Sequence, residues 1–395
     1  MTDFSAKEPA LGYWYQARYA LWQLLEGPED QQLVLESLDD IVVESPAGSA
    51  GLVQTKHHIN AAVLTDFSPD LWKTLRIWSD HLRTGAISIP PMTLTLVTTG
   101  TAPQGSIASL LRPNAQREAD CIAAALLKVA RESKNEKLQA SFTAFAALSD
   151  DQRTRLINAI SILDKSPDIA DVRVKIEEKI RLAVDRDYRT AVLQRLEGWW
   201  FERVAGQFLA KDARPVTGFE VSDMVRSIAD QFGPSALPID FLRAEPDTID
   251  PGGDDRTFVK QLRDIDVGLK RIEKAILDYY RAFEQRSRWA KDELLIGGEI
   301  EKYEETLIDE WERFAEAVAA DLSESASEEV LREAGRSIFN WVDLEADYRI
   351  RPDVAAAYVM RGSYHILANA TPPRVWWHPK FLERISAIVA SNVGT

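Results

Sequence analysis

Between Phe258 and Phe283 apolar side chains recur at alternating spacings of four and three: Phe258, Leu262, Ile265, Leu269, Ile272, Ile276, Tyr279 and Phe283. That period lays one apolar stripe along a helix, and a stripe so long must be covered by something. After Gly297-Gly298 the period resumes with Ile300, Leu307, Trp311, Phe314 and Val318. The pattern predicts two long antiparallel helices in an all-α C-terminal domain, residues 213–395. Its seam serves either the hairpin's own core or a second chain docked on it.

The N-terminal part has a different grammar. Apolar and aromatic residues around Tyr13-Trp14-Tyr15-Gln16 keep helical spacing until Gly27-Pro28 stops them. Gln32–Glu36, Asp40–Glu44 and Leu52–Lys56 then read as strands, the last two joined through the turn-rich 45–51. Ser68-Pro69-Asp70 opens a helix whose apolar face is Leu71, Leu75, Trp78 and Leu82. Met92–Thr99, with its β-branched TLTLVTT, is the clearest strand. From about residue 115 to 209 nearly everything reads helical, an elaboration of a first domain spanning 1–212. The fold class is therefore α+β followed by all-α. Trp72 and Trp78 are read as core, and Cys121 as a small apolar helix residue.

A single cysteine excludes an intrachain disulfide and a cysteine-based zinc site. Apolar runs are too short to span a bilayer, and the opening MTDFSAKEPALGYWYQ lacks a signal peptide's order, so the expected partners include no membrane and the expected location is cytoplasmic. The net charge of −15 opposes free sliding on nucleic acid. Most of that acidity lies beyond residue 210, where 35 acidic side chains stand against 24 basic ones. The N-terminal half retains enough cations to build a local basic cleft.

Gln54 and Lys56, two apart on a strand, leave the same face. A hairpin folds Asp40 back beside them, and Glu36 shares parity with Asp40. Acids, a neutral oxygen and a fixed ammonium make a set suited to phosphodiester hydrolysis, which needs a hard cation on oxygen ligands and positive charge where the transition state gathers negative charge. Asp40, Gln54 and Lys56 are the expected catalytic residues, with Asp40, Gln54 and Glu36 as metal ligands. The competing reading of such a short pattern is a solvated charged hairpin. His57 and His58 lack a third partner for zinc and are read as lining a cleft or capping the strand.

The words YWYQ (Tyr13–Gln16), LESLDDI (Leu35–Ile41), LVQTKHH (Leu52–His58) and SPDLWKTLRIW (Ser68–Trp78) together resemble the nuclease domain of the CD-NTase-associated endonuclease family. The resemblance covers roughly residues 10–110. It implies a restriction-endonuclease-like fold of the PD-(D/E)xK class and cleavage of double-stranded DNA with Mg2+, for which Mn2+ substitutes. It adds Gln16, from the family's helical motif, as a further contact to metal or phosphate. Because Asp39 and Asp40 adjoin, either can be the ligating acid; parity with Glu36 favours Asp40.

FVKQLRDI (Phe258–Ile265), AILDYYRAFEQRSRW (Ala275–Trp289) and RGSYHILAN with RVWWHPKF (Arg361–Phe381) resemble the C-terminal domain of effectors in bacterial ABC-three-component and Lamassu defence systems. The pairing of the two ends matches the Lamassu nuclease subunit. This implies an SMC-like ATPase partner, a small accessory subunit, and a nuclease restrained until release or oligomerisation. Arg281, Arg286, Arg288, Trp376 and Trp377 are candidate docking anchors, or else intrahelical ion pairs and a buried aromatic corner. The expected function is an Mg2+-dependent antiphage or anti-plasmid endonuclease, a homo-oligomer when active. The alternative is a non-catalytic DNA-binding or assembly subunit with a degenerate nuclease domain.

Overall fold

The computed structural model describes residues 7–36, 40–44, 50–210 and 214–384. The chain divides into two compact units, Met1–Ala229 and Asp230–Thr395.

The first unit begins with α1 (Lys7–Glu26) and an antiparallel meander of β1 (Gln32–Glu36), β2 (Asp40–Glu44) and β3 (Ala50–Lys56). α2 (Pro69–Thr84) then crosses to β4 (Thr93–Thr98), which lies parallel to β3. Proline at the first turn starts α2, and Gly85 ends it at φ 77, a left-handed conformation that costs glycine little. There follow α3 (Ile107–Leu110), α4 (Ala119–Glu132), α5 (Gln139–Ala146), α6 (Asp150–Ala159), β5 (Ile160–Leu163), α7 (Ile169–Ile180), α8 (Arg189–Leu209), β6 (Val216–Thr217) and α9 (Gly218–Asp230). The sheet runs β5-β4-β3-β2-β1-β6.

On one face Leu52, Leu94, Leu96, Ile160 and Ile162 pack with Trp72, Trp78, Phe142 and Phe145 from the helices. Trp72 meets Phe142 edge-on at 4.6 Å, so both α2 tryptophans are core as expected. α1 and α8 pack on β1, and Trp200 Nε1 donates to Ala17 O at 2.7 Å.

Two expectations change here. The stretch from 115 to 209 is not all helix, because Ile160–Leu163 leaves α6 to pair in parallel with Leu94–Val97. The expected domain break at 212/213 falls inside the first unit: Val216 and Thr217 pair with Leu33 and Gln32, and Gly218 fits so closely on Pro28 and Glu29 that a Cβ there would lie 2.7 Å from Glu29 Cα. Cys121 lies on α4 as read but is exposed, its thiol bonded to Glu118.

The second unit is mostly helical: α10 (Thr257–Asp264), α11 (Leu269–Lys291), α12 (Glu299–Ala320), α13 (Glu328–Asn340) and α14 (Ala357–Ala368). The heptad seam is broken between α10 and α11, where Asp266 takes φ 57. α11 has its most extensive contact with α14 rather than with α12, so the expected two-helix hairpin is instead one part of a multi-helix core. Phe258, Leu262, Ile265, Ile272 and Ile276 of the seam are buried in that core with Tyr303, Leu307, Trp311, Tyr364 and Trp377. Gly362 makes the α11–α14 approach possible, since a Cβ there would collide with Asp278 O and Ala282 Cβ. Among the described residues no helix is long and apolar enough to cross a membrane.

Candidate active site

Strand register assembles the site. Glu36 of β1 stands opposite Asp40 of β2, Asp40 opposite Gln54 of β3, and Gln54 opposite Leu96 of β4. Three of the expected residues therefore form one row across three adjacent strands, and Lys56 follows two positions beyond Gln54, opposite Thr98. Asp39 lies outside the described residues, as do the side chains of Glu36 and Asp40.

Gln54 is fully buried, yet among the described residues neither its amide oxygen nor its amide nitrogen has a hydrogen-bond partner. Leaving a buried polar group unsatisfied costs about 1–3 kcal/mol, which a packing role does not offset. An orphaned neutral oxygen beside an aspartate position is a donor set that fits a hard, oxygen-seeking cation.

The end of β3 is held from three sides. The His57 ring lies 4.8 Å from that of Tyr15 on α1. Its Nε2 accepts from the Ile169 N–H at 3.4 Å, and Tyr15 donates its hydroxyl to Pro167 O at 3.0 Å. Burial lowers the His57 pKa and raises that of Tyr15. Gln16, next to Tyr15, is buried on α1, which packs against β3. His58 donates its backbone N–H to Thr99 Oγ1 at 2.9 Å, and its Nε2 lies 2.8 Å from Asp70 Oδ2 in the first turn of α2. These histidines fasten the site's strand to its neighbours. No local spacing announces the Tyr15–His57–Ile169 contact, which joins three distant segments.

In the second unit the expected docking anchors have internal partners. Arg281 Nε donates to Ala244 O at 2.8 Å, Arg286 pairs with Glu304, and Arg288 lies 2.7 Å from Asp292 one turn on. Trp377 is fully buried, and Trp376 meets Trp311 edge-on at 4.7 Å. Only the Arg288–Asp292 pair is intrahelical; Arg281 bonds a backbone carbonyl, Arg286 pairs across to α12, and Trp376 and Trp377 belong to the unit's own core.

Residues 258–385 match the family model for C-terminal domain 7 of the ABC-three component (ABC-3C) systems. No curated protein matches the chain. Among solved structures it is similar to the Acinetobacter baumannii Cap4 SAVED/CARF-domain containing receptor with the cyclic trinucleotide 2'3'3'-cAAA, at 11% identity and a TM-score of 0.33, covering 56% of this chain and 45% of that one. It is also similar to the Moraxella osloensis Cap4 SAVED/CARF-domain containing receptor, at 13% identity and a TM-score of 0.31, covering 70% and 68%. The chain thus spans less than half the length of the Acinetobacter receptor.

Proposed function

We propose that this chain is the DNA-cleaving effector of an ABC-three-component defence system, an Mg2+-dependent endonuclease with a PD-(D/E)xK site in its first unit. One observation carries the reading: Glu36, Asp40 and Gln54 in register across β1, β2 and β3, with Lys56 two residues further along β3. The order α1-β1-β2-β3-α2-β4, an antiparallel meander followed by a parallel strand, supports a restriction-endonuclease-like core. The C-terminal domain match supports the defence-system assignment.

Asp40 would hold the cation with its carboxylate, Gln54 with its amide oxygen and Glu36 as a second acid. When bound, Mg2+ supplies Lewis acidity at the phosphodiester. Lys56 orients the attacking water and offsets charge on the phosphoryl oxygens as it develops. A neutral ligand at Gln54 lowers the charge of the set and loosens metal binding relative to a carboxylate. Each site cuts one strand, so a double-strand break follows from pairing two chains. On this reading an SMC-like ATPase and a small accessory subunit keep chains apart until foreign DNA is sensed.

The test is plasmid cleavage by wild-type chain and Lys56→Ala, in magnesium and in EDTA, over a range of protein concentrations. Cutting that needs both Lys56 and metal, and rises more steeply than concentration, is expected. Equal nicking by both proteins would sink the nuclease reading. The same orphaned Gln54 favours a second reading, a degenerate site retained for assembly; absence of cutting in every assembly state, with DNA binding intact, would select it.

A further inference from the structure

The segment that leaves β3 after Lys56 and runs into α2 has an unusual surface for an acidic chain. Ile59, Val63 and Phe67 are 43%, 58% and 52% exposed. They sit on backbone that is pinned, not loose. Thr101 N–H donates to Ala62 O and Leu64 N–H to Thr101 O, both at 2.9 Å. Asp66 accepts from Ile107 N–H through Oδ1 and from Trp72 Nε1 through its carbonyl, both at 2.7 Å. Three large apolar side chains held out by fixed backbone mark a contact surface rather than a failure of packing.

Past Phe67 the exposed positions of α2 turn basic. Lys73 and Arg76 are exposed and make no ion pair or hydrogen bond among the described residues. Many of the unit's other cations are engaged: Arg83 with Asp80, Arg112 with Asp164, Arg153 with Asp150 and Arg155 with Asp151. The 2.8 Å His58–Asp70 contact ties the first turn of α2 to the residue two beyond Lys56, so Lys73, three residues after Asp70, is at a fixed reach from the candidate site.

We propose that residues 59–76 form the surface that grips duplex DNA for this site, Lys73 and Arg76 on phosphates and Ile59, Val63 and Phe67 against sugar and groove edges. The nature of the ligand rests on the nuclease reading above. Exposed cations without a partner among the described residues, on the helix that follows three exposed apolar side chains, fit a polyanion with apolar groove walls better than they fit an apolar protein surface, which would leave the cations uncompensated.

The experiment measures binding of the full chain to a labelled duplex in EDTA, as a function of salt. Each phosphate contact contributes about 0.9 to the slope of log affinity against log salt. For the Lys73→Ala, Arg76→Ala double variant the slope should fall by about 2, so that a roughly fourfold drop in salt tightens the wild type about tenfold more than the variant. Phe67→Ser should weaken binding by roughly tenfold at every salt concentration and leave the slope unchanged. Arg226→Ala with Lys260→Ala, which removes the same charge from the Asp223 and Asp255 pairs, should leave the slope as in wild type. Slopes equal in both double variants, or wild-type binding by Phe67→Ser, would overturn the surface; the nuclease reading would survive if wild type still cut and Lys56→Ala did not. The expected binding losses in a chain that never cuts would instead remove the nuclease reading and keep the surface. A chain that binds no duplex overturns the surface outright.

Discussion

His58 Nε2 lies 2.8 Å from Oδ2 of Asp70, and this pair couples the end of β3 to the first turn of α2. Both side chains are partly solvated, so the pair contributes no more than about 1 kcal/mol to stability. On the proposed reading its larger effect is on position, because misplacing a catalytic or substrate-holding group by even about 1 Å costs orders of magnitude in rate. Asp70→Ala is expected to lower the plasmid-cutting rate by roughly tenfold or more while the melting temperature shifts by only a few degrees. Wild-type cutting by this variant would show that the pair positions nothing.

Gln54 separates stability from function. Replacing a buried, unpaired amide by an apolar residue of similar size removes a desolvation cost, so Gln54→Leu should melt at or above the wild-type temperature while losing metal-dependent cutting. Gln54→Glu should melt lower in EDTA, because a carboxylate costs more to bury than the neutral amide it replaces, and should recover in magnesium by a larger margin than wild type. Thermal melts with and without magnesium check both; a Gln54→Leu variant that is strongly destabilised means that the amide is doing structural work.

The α11–α14 contact depends on Gly362. A methyl group there meets the backbone of Asp278 and the Ala282 side chain, neither of which can retreat within a packed helix pair. Gly362→Ala should destabilise the second unit by about 3 kcal/mol, despite alanine's better helix propensity. Denaturant unfolding measures it. A neutral or stabilising result would mean that the helices are not in such close contact.

His365 is fully buried among Phe258, Phe339 and Trp377, and burial pushes its pKa down to about 3, with Arg361 and Arg256 adding to the effect. In the unfolded chain the imidazole titrates near about 6.5. The folded value is the lower one, so the stability from keeping His365 neutral is complete above pH ~6.5 and is lost as pH falls from there toward 3, the unfolded chain alone taking up the proton. The expected loss is about 1.4 kcal/mol per pH unit in that window. His365→Phe should flatten this part of the profile by that amount; an unchanged slope in urea melts would contradict it.

The ends of β1 and β2 were legible residue by residue, because Gly27-Pro28 and short alternating runs bound them. The row Asp40–Gln54 follows from folding one hairpin, a local operation. β5 was not legible. Ile160–Leu163 continues α6 with no breaker, and four apolar residues do not distinguish two periods; the edge of β4 makes them a strand. The break at Asp266 was masked by a heptad that runs straight through it. α14 as the cover of α11 was also missed, although the adjacent small residues Gly362-Ser363 signal a close helix approach. The contact of Tyr15 with His57 and α7 depends on tertiary packing, about which local pattern is silent.

The place of α14 in the chain has a consequence for biosynthesis. β6 and α9 complete the first unit by residue 229, so the sheet that carries Asp40, Gln54 and Lys56 can close while the rest is still being translated. The second unit cannot do the same, because α11 waits for Gly362 and its neighbours, and Trp377 reaches the core later still. A DNA-cutting unit would thus emerge from the ribosome ahead of the helical unit that follows it. On the proposed reading, holding that unit harmless in the interval falls to its weak metal set and its lack of a paired copy.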